Sequence, residues 1–197
     1  MLLALTGSAL LLGALRLEAQ AQAGGGALPP GRAAIARAVQ EVEGLDLLRS
    51  TLAQTFVAGG LTATDSTFAQ VCKPVKAKAM SLAKETGWSI AQLAERNRNA
   101  ENALDAEARR AFAQFRHDPA LASVVRRTTY KGVAGTRYLR RITVEPACLA
   151  CHGARDQRPE FVRRNYPADK AYGFAAGDLR GVYSVFIPDQ GLAAGRR

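Results

Sequence analysis

The sequence has few cysteines and histidines: three cysteines and two histidines in 197 residues. A structural zinc site normally uses four ligands. Two cysteines lie close together at Cys148 and Cys151, whereas the third, Cys72, is far away in the sequence. A zinc clip therefore accounts poorly for these residues.

The sequence also has no long run of basic residues, although 27 lysines and arginines outnumber 17 acidic residues and give a formal charge of +10. The arginines are scattered, many as pairs, and no nucleic-acid recognition motif is present. We therefore predict no nucleic-acid partner. A solvated basic surface is favoured, and the functional alternatives are an acidic redox or signalling partner protein and peripheral contact with an anionic membrane.

No apolar run reaches the roughly 20 residues that a membrane span needs. The longest, Leu2 to Leu15, is followed by small and polar residues with "AQA" repeats. This pattern predicts an export signal, although its usual basic start is missing, and an ordinary first helix is the alternative. We expect a periplasmic or otherwise exported protein. The predicted division of the chain is a signal peptide (1–23), a flexible linker (24–34), one domain (35–190) and a C-terminal tail (191–197).

The composition, 48% apolar and 22% charged, indicates one globular domain. Apolar spacing of three and four predicts helices, and stretches rich in β-branched and aromatic residues predict strands. We expect a kink or a late helix start at Pro74. Helices followed by a small antiparallel sheet indicate an α+β fold. The predicted helices span 32–56, 66–84 and 100–116; a hairpin with its turn at 132–135 spans 128–145, and a last strand spans 177–188.

The most informative stretch is Cys148-Leu149-Ala150-Cys151-His152. Cys-x-x-Cys-His is the attachment motif of c-type haem, in which the thiols form thioethers and the histidine binds the iron. A thioredoxin-like redox pair or a disulfide would leave His152 unexplained. We therefore predict one covalently attached haem c, with His152 as an iron ligand.

The sixth iron ligand is open at this point. The candidates are Cys72, Met80, His117 and Lys73, and methionine or histidine is the usual choice in c-type cytochromes. His117 has a second interpretation as a charge partner at the end of a helix.

Several stretches together resemble the single-haem c-type domain family with a PAS-like fold, found as stand-alone exported proteins and as sensor segments of bacterial histidine kinases and chemoreceptors. The resemblance implies N-terminal helices packed on a small antiparallel PAS-like sheet around the haem. It also implies that Cys72 is the sixth ligand, opposite His152. The stretches are the isolated Cys72, "GWSI" (87–90), "RNAENALD" (98–105), "VEPACLACHG" (144–153) and "YPADKAYGFAAGDLRGVYSV" (166–185).

Haem propionates are usually paired with cations or hydrogen-bond donors. By their positions in the matched stretches, Arg98, Tyr166 and Arg180 are the candidate haem contacts. We expect redox or ligand sensing, with periplasmic electron transfer as the alternative. We do not expect an enzyme, because peroxidase chemistry needs an open sixth site beside an acid-base residue.

Overall fold

The computed structural model describes residues 30–60 and 62–189. The predicted signal peptide and C-terminal tail lie outside these residues. Among the described residues, none of the helices combines the length and the hydropathy of a membrane-spanning segment.

Two long antiparallel helices form the N-terminal half: α1 (Pro30–Ala58) and α2 (Asp65–Thr86). Helix α1 buries Ala38, Val42 and Leu45, which recur at the helical spacing seen in the sequence. It begins at Pro30, so its first turn includes the last residues of the predicted linker.

Helix α2 begins at a capping box, in which Thr64 and Thr67 exchange hydrogen bonds between side chain and backbone. It ends at Gly87, whose φ of 71° is favourable only for a residue without a Cβ. The helix runs through Pro74 without a break, so the late start considered at Pro74 was wrong.

The second half is a four-stranded antiparallel sheet with the order β1-β4-β3-β2, which confirms the predicted α+β fold. The hairpin turn lies at Lys131 and Gly132, both with positive φ, and not at 132–135. Strand β1 was not predicted. The strands are β1 (Ser89–Leu93), β2 (Ser123–Tyr130), β3 (Val133–Thr143) and β4 (Leu179–Pro188).

Helices cover both faces of this sheet. Helices α1 and α2 pack on one face, where Tyr138 and Tyr183 are buried. Helix α3 (Ala106–His117) packs on the other face through Phe112 and Phe115. The third predicted helix was too long at its start, because residues 100–102 form a separate 3₁₀ turn and Asp105 caps α3.

Candidate functional site

The Cys-x-x-Cys-His motif forms one compact turn directly after strand β3. Residues Pro146–Cys148 make a 3₁₀ turn, and α4 (Leu149–His152) continues it for one helical turn. Gly153 ends α4 by donating its N–H to the Leu149 carbonyl, and a Cβ there would lie 2.7 Å from that same oxygen. The sequence therefore brings the two thiols and the imidazole together within seven consecutive residues, Pro146 to His152.

His152 is held in one orientation by a single backbone contact. Its Nδ1 lies 2.6 Å from the Ala171 carbonyl oxygen, which can only accept, so Nδ1 carries the proton. Burial, followed by the nearby Arg180 and Arg98, lowers the pKa of His152 to about 3. The imidazole is therefore neutral at pH 7, and its Nε2 lone pair has no hydrogen-bond partner among residues 30–60 and 62–189.

Asp169 fixes the segment that provides this carbonyl. Its side chain has no exposed surface and accepts hydrogen bonds from the Ala171 N–H at 2.9 Å, Arg98 Nε at 3.3 Å and Arg158 Nη1 at 3.1 Å. Arg98 also donates to the Cys151 carbonyl at 3.1 Å. One carboxylate thus connects the loop behind His152 with the Cys-x-x-Cys-His turn.

The turn forms one side of a cavity between the helices and the sheet. The space between the cavity walls, including the part open to solvent, is about 1200 Å³. Helix α2 contributes Cys72 to the wall, so the isolated cysteine and the motif lie around the same cavity. The apolar part of the wall includes Phe68, Val71, Val75, Leu93, Ile142, Val144 and Phe161.

Cys72 is accessible at the cavity wall, but the protein atoms packed around its thiol raise its pKa to about 11. The neighbouring Cys151 raises the pKa further, whereas Arg98 opposes the shift. The thiol is therefore protonated at neutral pH when no cation is beside it. Burial also raises the pKa of Cys151.

Three arginines line the cavity, and they differ in their partners. Arg98 is paired with Asp169, and Arg49 is paired with Asp46 and Glu145. Arg49 also contacts Cys148 Sγ at 3.3 Å, which joins helix α1 to the motif.

Arg180 makes no ion pair within the described part of the chain. Its one side-chain hydrogen bond there is to the Arg96 carbonyl. Burial, followed by the nearby Arg98, lowers the pKa of Arg180 to about 10. The cavity therefore contains a guanidinium that has no anionic partner among the described residues.

Six of the seven predicted site residues line this cavity: Cys72, Cys148, Cys151, His152, Arg98 and Arg180. Tyr166 does not line it, because its ring lies beside Phe68 and under the Arg98 guanidinium, which stands between Tyr166 and the motif.

The alternative iron ligands lie elsewhere. Met80 is 63% exposed, and neither Met80, His117 nor Lys73 is part of the cavity wall. His117 is the last residue of α3, as its second interpretation predicted. In the described part of the chain, no three His, Cys, Asp or Glu side chains form a cluster that could hold a metal ion by themselves.

Sequence reasoning missed Arg49 and Asp169. Arg49 is 99 residues from Cys148, so no local pattern connects them. Asp169 belongs to the stretch 166–185, but no motif assigns an acidic residue to that position. Its role depends on Arg98 and Arg158, which lie beside it only in the folded chain.

Comparisons with known proteins identify the family and support the fold. The model of the Tll0287-like family matches residues 31–188. Among solved structures, the crystal structure of the cyanobacterial heme-protein Tll0287 is 40% identical and has a TM-score of 0.70. The match covers 79% of this chain and 94% of that protein's chain. No curated protein sequence matches this chain.

Proposed function

The chain belongs to the Tll0287-like family, and we propose that it is an exported protein that holds one covalent haem c and acts in redox or ligand sensing. The single observation that carries this proposal is the meeting of Cys72 with Cys148, Cys151 and His152 around one cavity. These four residues are separated in sequence by as many as 80 positions, yet they line one cavity, where they would provide two attachment thiols and two iron ligands. The similar solved structure is itself a haem protein.

Each residue of the set has a distinct role in this proposal. Cys148 and Cys151 would each form a thioether with a haem vinyl group, and His152 would donate Nε2 to the iron. Cys72 would donate its sulfur from α2. The haem would supply an iron that changes between the ferric and ferrous states, with a potential set by its axial ligands.

The charges of the cavity fit a cofactor that has anionic substituents. Arg180 lacks an anionic partner among the described residues, and a haem propionate would be a suitable one. Arg98 and Arg49 already have carboxylate partners, so we assign Arg180 the propionate contact. Tyr166 supports Arg98 and is not assigned a direct contact.

Two further features support His152 as an iron ligand of the proposed haem. The His152 imidazole is neutral and fixed by Ala171, so it needs neither deprotonation nor reorientation before it binds iron. Asp169 and Arg98 brace the backbone on both sides of this imidazole. The turn therefore holds the His152 imidazole in the orientation that the proposed bond to iron needs.

We propose sensing as the role because the thiol belongs to α2 and the imidazole to α4, two different elements of the fold. A cysteine ligand also binds ferric iron better than ferrous iron, so reduction would weaken the contact made by α2. Electron transfer is the second candidate, favoured by the excess of basic residues, which would steer an acidic redox protein. We propose no catalytic role, because the spare histidine, His117, lies outside the cavity wall.

The covalent attachment is tested by expressing the protein with its full leader in a host that carries the c-type maturation machinery. Haem-stained denaturing gels and the pyridine haemochrome spectrum should show one covalent haem in the wild type. Cys148→Ser or Cys151→Ser should leave one thioether, and the double variant should leave none.

Cys72→Ser is the matched control, because it removes the third thiol without removing a thioether. It should retain the covalent haem. Full covalent haem in the Cys148→Ser/Cys151→Ser variant, or a wild-type protein that contains only zinc, would overturn the proposal.

A further inference from the structure

The lysines of this protein are concentrated on one helix. The chain has 21 arginines spread along its length but only six lysines, and four of the six lie between residues 73 and 84 of α2. These four are Lys73, Lys76, Lys78 and Lys84, and all four are exposed. The other two are Lys131 and Lys170.

The two kinds of basic residue have different uses in the fold. Every ion pair in the described part of the chain is made by an arginine, and none of the six lysines takes part in one. Arginine provides a rigid, bidentate partner for internal carboxylates, whereas lysine is a flexible and strongly hydrated point charge. The lysines of α2 therefore contribute charge to the surface without bracing the fold.

Helix α2 has acidic residues only at its ends, and both are already paired. Asp65 binds Arg164, and Glu85 binds Arg37. Between them the helix has four lysines and no carboxylate. The positive charge along this stretch is thus not neutralised by its own helix.

Three of these four lysines surround an exposed apolar centre. At 3.6 residues per turn, Lys73, Lys76, Ala77, Met80 and Lys84 fall within a sector of about 100°. We call these five residues the lysine face. It lies opposite Val75 and Leu82, which pack into the core, and Met80 at its centre is 63% exposed.

We propose that the lysine face is the docking site for the acidic surface of a partner protein. Unpaired lysines would steer an acidic partner and determine its orientation, while Met80 would provide apolar contact at the centre. Insertion into a membrane needs a broad apolar face with bulky residues, whereas the only large apolar side chain on this face is Met80. A protein surface is therefore the occupant that its chemistry fits.

The position of the lysine face would connect a docked partner with the cavity. Cys72 precedes Lys73 directly and lines the cavity, so a partner bound to the lysine face lies against the helix that contributes Cys72. This connection to the cavity rests on the proposed haem function, but the docking itself rests on the charge distribution alone.

The test uses the purified full-length protein and flavodoxin, a small acidic redox protein, as the probe. Binding is measured by calorimetry at low and at physiological salt. Lys73→Gln/Lys76→Gln/Lys84→Gln should weaken binding about tenfold at low salt, since each exposed charge pair contributes modestly. It should also flatten the salt dependence.

The matched control is Arg110→Gln/Lys131→Gln/Lys170→Gln, which removes the same three charges from exposed positions elsewhere. It should weaken binding less than about threefold, through net charge alone. Carbodiimide crosslinking, which joins carboxylates to lysines, should give crosslinks at Lys73, Lys76 and Lys84 in preference to Lys78, Lys131 and Lys170.

Equal loss of binding in both triple variants, or equal crosslinking of all six lysines, would overturn the proposal. So would lysine-dependent sedimentation with phosphatidylglycerol vesicles while flavodoxin binding is unaffected by the Lys73→Gln/Lys76→Gln/Lys84→Gln change. None of these measurements needs a haem, so their failure is separate from a failure of the haem-stained gels.

Discussion

Asp169→Asn is expected to destabilise the protein far more than an ordinary surface substitution. The Asp169 side chain has no exposed surface, and it accepts hydrogen bonds from Arg98, Arg158 and the Ala171 N–H. Asparagine preserves the shape of the side chain and can still accept from Ala171. It removes the negative charge that faces two guanidinium groups.

The size of the effect follows from the burial of the two arginines. Their side chains are 11% and 12% exposed, so neither can be fully hydrated after the carboxylate is neutralised. Removing one member of a buried ion pair costs about 3 to 5 kcal/mol. We expect about 3 kcal/mol, at the lower end, because Arg98 keeps its hydrogen bond to the Cys151 carbonyl.

The assay is urea unfolding followed by circular dichroism, with wild type and variant in the same haem state. For an m value of about 2 kcal/mol/M, a loss of about 3 kcal/mol lowers the midpoint by about 1.5 M urea. Asp156→Asn is the control, since it removes the same charge from an exposed carboxylate. It should change the free energy of unfolding by less than about 0.5 kcal/mol.

The stability difference between wild type and Asp169→Asn should also depend on pH. Burial alone would raise the pKa of Asp169, but the Ala171 N–H and the two arginines lower it, on balance, below its ordinary value of 3.8. A carboxyl group with a lowered folded pKa stabilises the protein above its unfolded pKa and loses this contribution as pH falls through the folded value. The difference should therefore be constant from pH 7 to about pH 5 and shrink below about pH 4. A difference under about 1 kcal/mol at pH 7, or one that grows in acid, would refute the assigned ion pairs.

Two further predictions concern other parts of the fold. Cys72→Ala should shift the ferric spectrum toward high spin and raise the potential, whereas Met80→Leu should change neither; the opposite result in optical and EPR spectra would identify Met80 as the ligand. Gly181→Ala should cost about 1 to 3 kcal/mol in urea unfolding, because its Cβ would lie 2.4 Å from the Leu93 carbonyl oxygen. Gly44→Ala, in an open part of α1, should instead stabilise by about 0.5 to 1 kcal/mol, and similar effects at both glycines would contradict this packing.

The features that the sequence predicted well are those determined by local patterns. Helices α1 and α2 were located to within two residues because each has apolar residues at helical spacing and a clear boundary. The Cys-x-x-Cys-His motif was recognisable because its residues are adjacent in the chain. The proposal that Cys72 is an iron ligand needed the resemblance to a family, since an isolated cysteine has no local pattern that indicates a ligand.

The mispredicted turn has a physical explanation. Gly132 and Gly135 both suggested a turn, but only Gly132 has a positive φ. Gly135 lies within β3, where a Cβ would approach the Ile187 carbonyl oxygen to 2.4 Å. Position 135 requires glycine because strand β4 lies so close to it. A local sequence pattern does not reveal this contact between strands.

Strand β1 was missed for a different reason. It is a short edge strand of five residues whose burial does not alternate, so it lacks the period of two that indicates a strand. It forms because β4 provides a complete row of partners from Ser89 to Leu93.

The two proposed iron ligands, Cys72 and His152, lie on different elements, and this division connects the proposed sensing role with the lysine face. His152 is braced by Asp169 through Ala171, and the turn that contains it is tied to α1 by Arg49. Cys72 has no such brace: it lies on α2, and the described residues give its thiol no hydrogen-bond partner. If the bond to Cys72 weakened on reduction, the element free to respond would therefore be α2 and not the turn. The outer side of that same helix is the lysine face, so a partner docked there would contact the element whose position depends on the state of the cavity.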